Sequence, residues 1–465
     1  MGLSVAMLFP LIATFTFGES DWTAFLIPAL CTFFVGMSLS KVFDSNEEMS
    51  AREGFAIVAL VWVIFTIFGA LPYVFVGHNY TDAFFQTMSG FTTTGSNVFR
   101  DIASHSRGIL LWGNITQWIG GMGIIVMSLA ILPVLGIGGM QLFRAEVPGP
   151  VSDKLTPRIR DTAKILYQTY IFLTLVECFL LWLAGMDFYS AVCHSLSTLS
   201  SGGFSPHNSS IAHYESSWIH FIIALFMLAA GVNFALHYQF SRLKFSAIWT
   251  DTEFKSYLFF ISLVVALLVS ILFFQGIYTD LFICVRDVFF TTVALITGTG
   301  FSTVDYEQWP VVCQAILFCL LFAGGCAGST TGGMKIIRLV IVCKFAYQQI
   351  NQLIHPQAIL NLKINRQMVK DNIIKGVLSF FILYALSFTL GVVLMASTGL
   401  DLISASSATA SCLSNVGPAF GVVGPTDNFA DVSTFGKWVL SFLMLLGRLE
   451  LFTVLVLFTP AFWKN

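Results

Sequence analysis

The chain has 465 residues, of which 56% are hydrophobic and 10% charged, and its formal net charge is -2. Soluble domains carry about 25% charged residues, so a chain this apolar needs lipid as its solvent. The near-neutral balance, with no basic tail or acidic block, argues against nucleic acid as a partner.

Apolar runs of about 20 residues predict helices that cross a bilayer. In chain order they fall near 3–17, 23–41, 54–76, 109–135, 164–184, 216–239, 255–275, 309–343, 371–395 and 437–461. The first is short, like a signal-peptide core, but no Lys or Arg precedes it, and it reads as a span. Four shorter apolar segments, near 83–91, 188–199, 281–296 and 402–413, cannot cross and predict re-entrant helices. The fold class expected is an all-α polytopic membrane protein with ten transmembrane helices and both termini cytoplasmic.

The basic residues test this topology. With the N-terminus inside, all 23 Lys and Arg lie on or near the inner side except Arg100, Arg107, Arg286, Lys437 and Arg448. That bias follows the positive-inside rule. It holds only if the four short segments return to the side they came from. The outer side gathers acids, among them Asp82, Asp187, Asp280 and Asp401, and an acidic mouth concentrates cations.

The short segments repeat one another. Each opens at an Asp (Asp82, Asp187, Asp280, Asp401), which predicts an N-cap. Each closes on a Ser or Thr and, three residues later, a Gly. The endings are Thr92-Thr93-Thr94-Gly95, Ser200-Ser201-Gly202-Gly203, Thr297-Gly298-Thr299-Gly300 and Ser414-Asn415-Val416-Gly417. The final glycines are 108, 97 and 117 residues apart, an internal repeat of about 100 residues. Two N-terminal spans (1–48) would precede four units of helix, re-entrant loop and helix, at 49–160, 161–248, 249–350 and 351–465 around a central pore.

Extended backbone at membrane depth must find partners for its carbonyls. Four such segments around an axis can offer them to a dehydrated cation, and glycine permits the backbone angles. None of the endings holds an acid, which favours a monovalent ion held by neutral oxygens over a divalent one. The competing reading, small residues for close helix packing, suits one such ending better than four in register. Nothing resembles a catalytic set: HExxH, GxSxG and GxxxxGK[ST] are absent, the nine cysteines are scattered without a CxxC, and no enzyme is expected.

Two features stand apart. The eighth span is broken by Gly324-Gly325-Cys326-Ala327-Gly328-Ser329-Thr330-Thr331-Gly332-Gly333, whose glycines cannot sustain a helix interior. In lipid such a break must face protein or water; the bland alternative is a kink or a close helix contact. Arg448 lies within the last span, where a buried charge is expensive and usually functional. The alternative is a structural pair with Glu450 or another acid, although a spacing of two does not put Arg448 and Glu450 on one helix face.

These motifs, with Met88-Ser89-Gly90-Phe91, Trp118-Ile119-Gly120-Gly121-Met122-Gly123-Ile124-Ile125, Ile131-Leu132-Pro133-Val134-Leu135-Gly136-Ile137-Gly138-Gly139-Met140 and Asn415-Val416-Gly417-Pro418, resemble the TrkH family. These are membrane subunits of bacterial Trk potassium-uptake systems, in a superfamily with KtrB and plant HKT transporters. The resemblance spans essentially the whole chain. It implies a K+-selective filter from the four endings, with Gly95 favouring potassium over sodium. It implies that Gly324–Gly333 gates the pore and that Arg448 sits in the pore beneath the filter. It further implies a homodimer in the bacterial inner membrane, docked to a cytosolic TrkA-type nucleotide-binding ring. The chain has no nucleotide motif or cofactor site of its own. The alternative is a secondary transporter coupling K+ to H+ or Na+, for which Glu177 and Glu450 are the available acids.

Overall fold

The computed structural model describes residues 1–42, 51–135, 155–242, 249–356, 362–365 and 367–463. Of the inner basic residues, Arg144, Lys154, Lys244, Arg366 and Lys464 lie outside these. So do Gly136–Met140 of the matching motif and the unit boundaries at 48 and 248.

The described chain is mostly helical. Its strands, Lys363–Ile364 and Gln367–Met368, pair antiparallel as a two-residue ladder. Five helices are long and apolar enough to cross a membrane, or seven if each of two sharply bent pairs counts as one span. The chain is a multi-pass membrane protein.

The four short segments are helices at Tyr80–Phe91, Phe188–Ser200, Leu281–Ile296 and Leu402–Ser414. Asp187, Asp280 and Asp401 cap the last three through their side chains. The first helix departs from the expectation, because its cap is Asn79 and Asp82 lies inside the first turn. Asn79 Oδ1 accepts from the Asp82 amide at 2.9 Å, which starts the helix three residues early. That frees the Asp82 carboxylate to bind Lys437 Nζ at 2.6 Å, tying this helix to the last long one.

Each short helix packs against the helix before it and the one after it. In the first, second and fourth units the helix after the short one also reaches another unit's short helix. Arg107–Leu135 lies on Phe188–Ser200, Ser217–Ala230 on Leu281–Ile296, and Thr434–Arg448 returns to Tyr80–Phe91. The main apolar core, with Phe85, Trp112, Leu413 and Met444, joins the first and last of these helices.

Two predicted spans are not straight. The one near 216–239 bends by 106° between Ser217–Ala230 and Phe234–Phe240, and the one near 437–461 bends by 112° after Arg448. At the first bend, Asn233 caps the second piece and the freed Gly231 carbonyl accepts from the Cys326 amide at 2.8 Å. At the second, Glu450 and Leu451 adopt positive φ, 58° and 54°.

Candidate functional site: four converging segments

Each short helix runs into one of the four endings, and the endings share a backbone signature. The second residue is left-handed in all four: Thr93 (φ 51°), Ser201 (57°), Gly298 (69°) and Asn415 (55°). So is the fourth: Gly95 (83°), Gly203 (82°), Gly300 (70°) and Gly417 (99°). A left-handed residue with a side chain costs roughly 1–2 kcal/mol. It persists only where its surroundings fix it.

The four glycines close a cycle. A Cβ on Gly95 would overlap the Gly202 carbonyl oxygen, one on Gly203 the Thr299 oxygen, and one on Gly300 the Val416 oxygen. A Cβ on Gly417 would press on the Thr94 oxygen at 2.7 Å. Each glycine therefore faces the residue before the equivalent glycine of the next segment, and the fourth faces the first. Any side chain here would push a neighbouring carbonyl out of place.

Hydrogen bonds brace the ring. Thr92 and Thr94 hydroxyls lie 2.8 Å apart, as do those of Thr297 and Thr299. Ser414 meets Tyr384 Oη at 2.6 Å, and Ser200 donates to the Leu196 carbonyl. Asn415 Nδ2 donates to Thr94 Oγ1 at 2.9 Å and to the Met444 carbonyl at 3.0 Å, linking the fourth segment, the first and the last long helix. The Thr93 hydroxyl is buried with no hydrogen-bond partner among the described residues. Asn415→Ala should lower stability by about 3 kcal/mol, from two buried hydrogen bonds and a left-handed residue with no polar compensation. Detergent thermal melting would register this as a fall in midpoint.

The Gly324–Gly333 stretch forms an irregular loop against one side of the ring. Thr330 Oγ1 lies 3.0 Å from Ser201 Oγ and donates to the Leu199 carbonyl. Gly332 abuts Ser414 and Asn415, and Gly333 turns with φ 68°. The loop ends are clasped by a backbone bridge between Ala323 and Met334. Ser329 and Thr331 hydroxyls pair at 2.8 Å, and Lys335 Nζ donates to Thr331 O and Oγ1. Gly328 gives its carbonyl to the Phe234 amide. Glu253 Oε1 accepts from the amides of Ala327 and Ile337 at 2.7 and 3.2 Å.

Arg448 is 2% exposed. Its Nη1 donates to the Thr330 carbonyl at 2.7 Å, Nη2 reaches the Gly120 carbonyl at 3.5 Å, and Nε has no partner among the described residues. Glu450 does not pair with it; that carboxylate binds Arg338 Nη2 at 2.5 Å. Glu177 is fully buried beside Thr198 of the second short helix.

Two contributors carried no signal in the sequence reading. Gln117 donates from Nε2 to the Gly202 carbonyl at 2.7 Å and accepts from the Phe204 amide at 3.1 Å. Glu253 is the other. Gln117 is a polar residue within the 109–135 apolar run, and Glu253 lies just before the 255–275 run.

A histidine cluster borders the second ending. His207 and His213 stack with ring centroids 3.9 Å apart, and His207 Nε2 lies 3.0 Å from Tyr214 Oη. Burial and then His213 push the His207 pKa below its ordinary 6.5, against a smaller upward pull from Asp187. The folded state therefore binds fewer protons than the unfolded one, so stability falls as pH drops through 6.5. The melting midpoint should fall between about pH 7.5 and about pH 5.5. His207→Gln should reduce that dependence.

The TrkH family profile, described as a cation transport protein, matches residues 23–465. The chain is 40% identical over 444 residues to the Trk system potassium uptake protein TrkH of Escherichia coli K12, covering 93% of this chain and 92% of that protein. It is 38% identical over 476 residues to the TrkH of Vibrio parahaemolyticus, covering 99% and 96%. The crystal structure of the potassium transporter TrkH from Vibrio parahaemolyticus superposes with a TM-score of 0.92 at 36% identity, over 99% of this chain and 96% of that one.

Proposed function

The chain belongs to the TrkH family of cation transport proteins, and from that premise we propose that it conducts potassium ions across a bacterial inner membrane. The observation that carries this reading is the closed cycle of Gly95, Gly203, Gly300 and Gly417 on neighbouring carbonyls, with matching left-handed positions in all four endings. Such a ring offers carbonyl and hydroxyl oxygens to a dehydrated monovalent ion and no carboxylate to a divalent one. Thr92–Gly95, Ser200–Gly203, Thr297–Gly300 and Ser414–Gly417 are the filter. The potassium transporters among its relatives support K+ as the ion.

On this reading the architecture is two leading spans followed by four units around a central pore, ten spans in all. Gly324–Gly333 is the gate. Its contacts with Ser201, Ser414 and Asn415 support a loop that blocks one end of the ring and must move for ions to pass. Arg448 holds the loop and adds a fixed positive charge below it. The protein works as a homodimer, with a cytosolic TrkA-type ring controlling the gate.

The test is rubidium-86 uptake into proteoliposomes containing the purified chain, with potassium, sodium and lithium as competitors. Uptake that follows the electrical gradient alone, blocked by potassium and not by sodium, is the expected result. Uptake that requires an imposed proton or sodium gradient would replace the conductive reading with a coupled carrier. The fully buried Glu177 is the observation that favours such a carrier, and it would then be the first residue to change.

A further inference from the structure

The Gly324–Gly333 loop is held at both of its ends. Lys335 and Arg448 grip it at Thr331 and Thr330. Nearer its start, the Cys326 amide donates to the Gly231 carbonyl at 2.8 Å, and the Ala327 amide donates to Glu253 Oε1 at 2.7 Å. The same oxygen accepts from the Ile337 amide at 3.2 Å, in the first turn of the Ile336–Ile354 helix that follows the loop. First-turn amides have no acceptor within their own helix, and Glu253 supplies one. A single carboxyl oxygen therefore ties the loop to the helix it leads into.

Glu253 is fixed in turn by a distant segment. It lies in the first turn of the Thr252–Phe274 helix, whose N-cap is Asp251. Asn365, at the turn between the two short strands, clasps that helix start. Its Oδ1 accepts from the Thr252 amide at 2.7 Å, its Nδ2 donates to Asp251 Oδ2 at 3.1 Å, and its amide donates to Thr252 Oγ1 at 3.3 Å. Asn365 has a left-handed φ of 47°, which asparagine tolerates better than most side chains. Ile364 beside it is buried in one cluster with Ile337, Ile341 and Ile373, against which Ala327 rests. The hairpin thus bears on the helix that carries Glu253 and on the residues that Glu253 grips.

We propose that Glu253 is the positioning residue of this loop, and that Asn365 keeps Glu253 in place from the hairpin. Glycine-rich backbone has little preference of its own for one path, so its fastenings set its course. Removing the Glu253 acceptor frees the Cys326–Ala327 end while Lys335 and Arg448 still hold Thr330 and Thr331. The consequence for ion flux rests on the reading of Gly324–Gly333 as the gate.

Cys326 reports the position of the loop, because it adjoins Ala327 and is 1% exposed. The experiment treats the full-length chain in proteoliposomes with N-ethylmaleimide and reads each cysteine by peptide mass spectrometry. Glu253→Ala should speed labelling of Cys326 about tenfold, the worth of one to two buried hydrogen bonds. Asn365→Ala should speed it about threefold, acting through the Asp251–Thr252 helix start. Cys193 and Cys412, buried in the second and fourth short helices, should keep their wild-type rates in both variants. A rise at those two cysteines equal to that at Cys326 would show general loosening and overturn the proposal. Glu253→Gln retains an acceptor oxygen and should keep Cys326 protected. An unchanged Cys326 rate in Glu253→Ala would overturn the proposal, and an unchanged rate in Asn365→Ala would overturn the part given to the hairpin. Rubidium uptake by the same proteoliposomes tests the gate separately. Faster labelling with faster uptake supports both readings. Faster labelling with unchanged uptake sustains the role of Glu253 and removes the loop from the ion path.

Discussion

Arg448→Ala should raise rubidium flux by roughly thirtyfold. A fixed unit charge about 8 Å from a passing cation, at an effective dielectric near 20, raises its energy by about 2 kcal/mol. Arg448 is buried, and the nearest acid in sequence, Glu450, is committed to Arg338. Its charge therefore acts with little local compensation. The same substitution deletes the hydrogen bond to the Thr330 carbonyl, which removes a restraint on the Gly324–Gly333 loop. Arg448→Lys separates the two effects. It retains the charge but not the two-pronged donor geometry, so a flux near wild type would assign the barrier to charge. A flux near that of the alanine variant would assign it to the loop contact. An alanine variant that folds and conducts no faster than wild type would remove Arg448 from the ion path.

Gly95→Ser should reduce discrimination between potassium and sodium by about tenfold, equivalent to about 1.4 kcal/mol, the scale of one weakened hydrogen-bond-like contact. A Cβ on Gly95 overlaps the Gly202 carbonyl oxygen, which already accepts a hydrogen bond from Gln117. The displaced carbonyl disturbs the second segment as well as the first. Serine must also hold φ near 83°, which adds strain. Gly185→Ser is the matched control. Gly185 has a φ of 99°, but a Cβ there would meet no atom within 4 Å. It should lower thermal stability and leave the rubidium-to-sodium permeability ratio unchanged. If Gly95→Ser leaves that ratio unchanged too, Gly95 is not part of the filter.

The endings were legible because geometry restricts what can stand there. A glycine pressed on a neighbour's carbonyl tolerates no side chain, so the residue type itself marks the position. The short helices were legible through their length and three of their four aspartate caps. The first cap was misread because Asn79 and Asp82 form a reciprocal pair, and an acid at the third helical position resembles an acid at the cap. The bends at Gly231–Asn233 and Glu450–Leu451 were hidden because apolar residues resume on the far side of each. Hydropathy records the solvent a segment needs, not the direction in which it runs. Gln117 and Glu253 were invisible for a different reason. Each meets its partner far away in the chain, Gly202 at 85 positions and Ala327 at 74. A lone polar residue has no period to detect.

The contact that joins the fourth segment to the first has a consequence for biogenesis. Asn415 and Thr94 are 321 positions apart, and the Gly417 contact on Thr94 spans nearly the same distance. Domains generally form in order of synthesis, N-terminal parts first. The first three segments therefore reach the bilayer while the fourth side of the ring is still missing. On the proposed reading, a cation passage assembled this way would acquire its selectivity only when the last unit is inserted. The growing chain would have no finished route through which to dissipate the ion gradients of the cell that makes it.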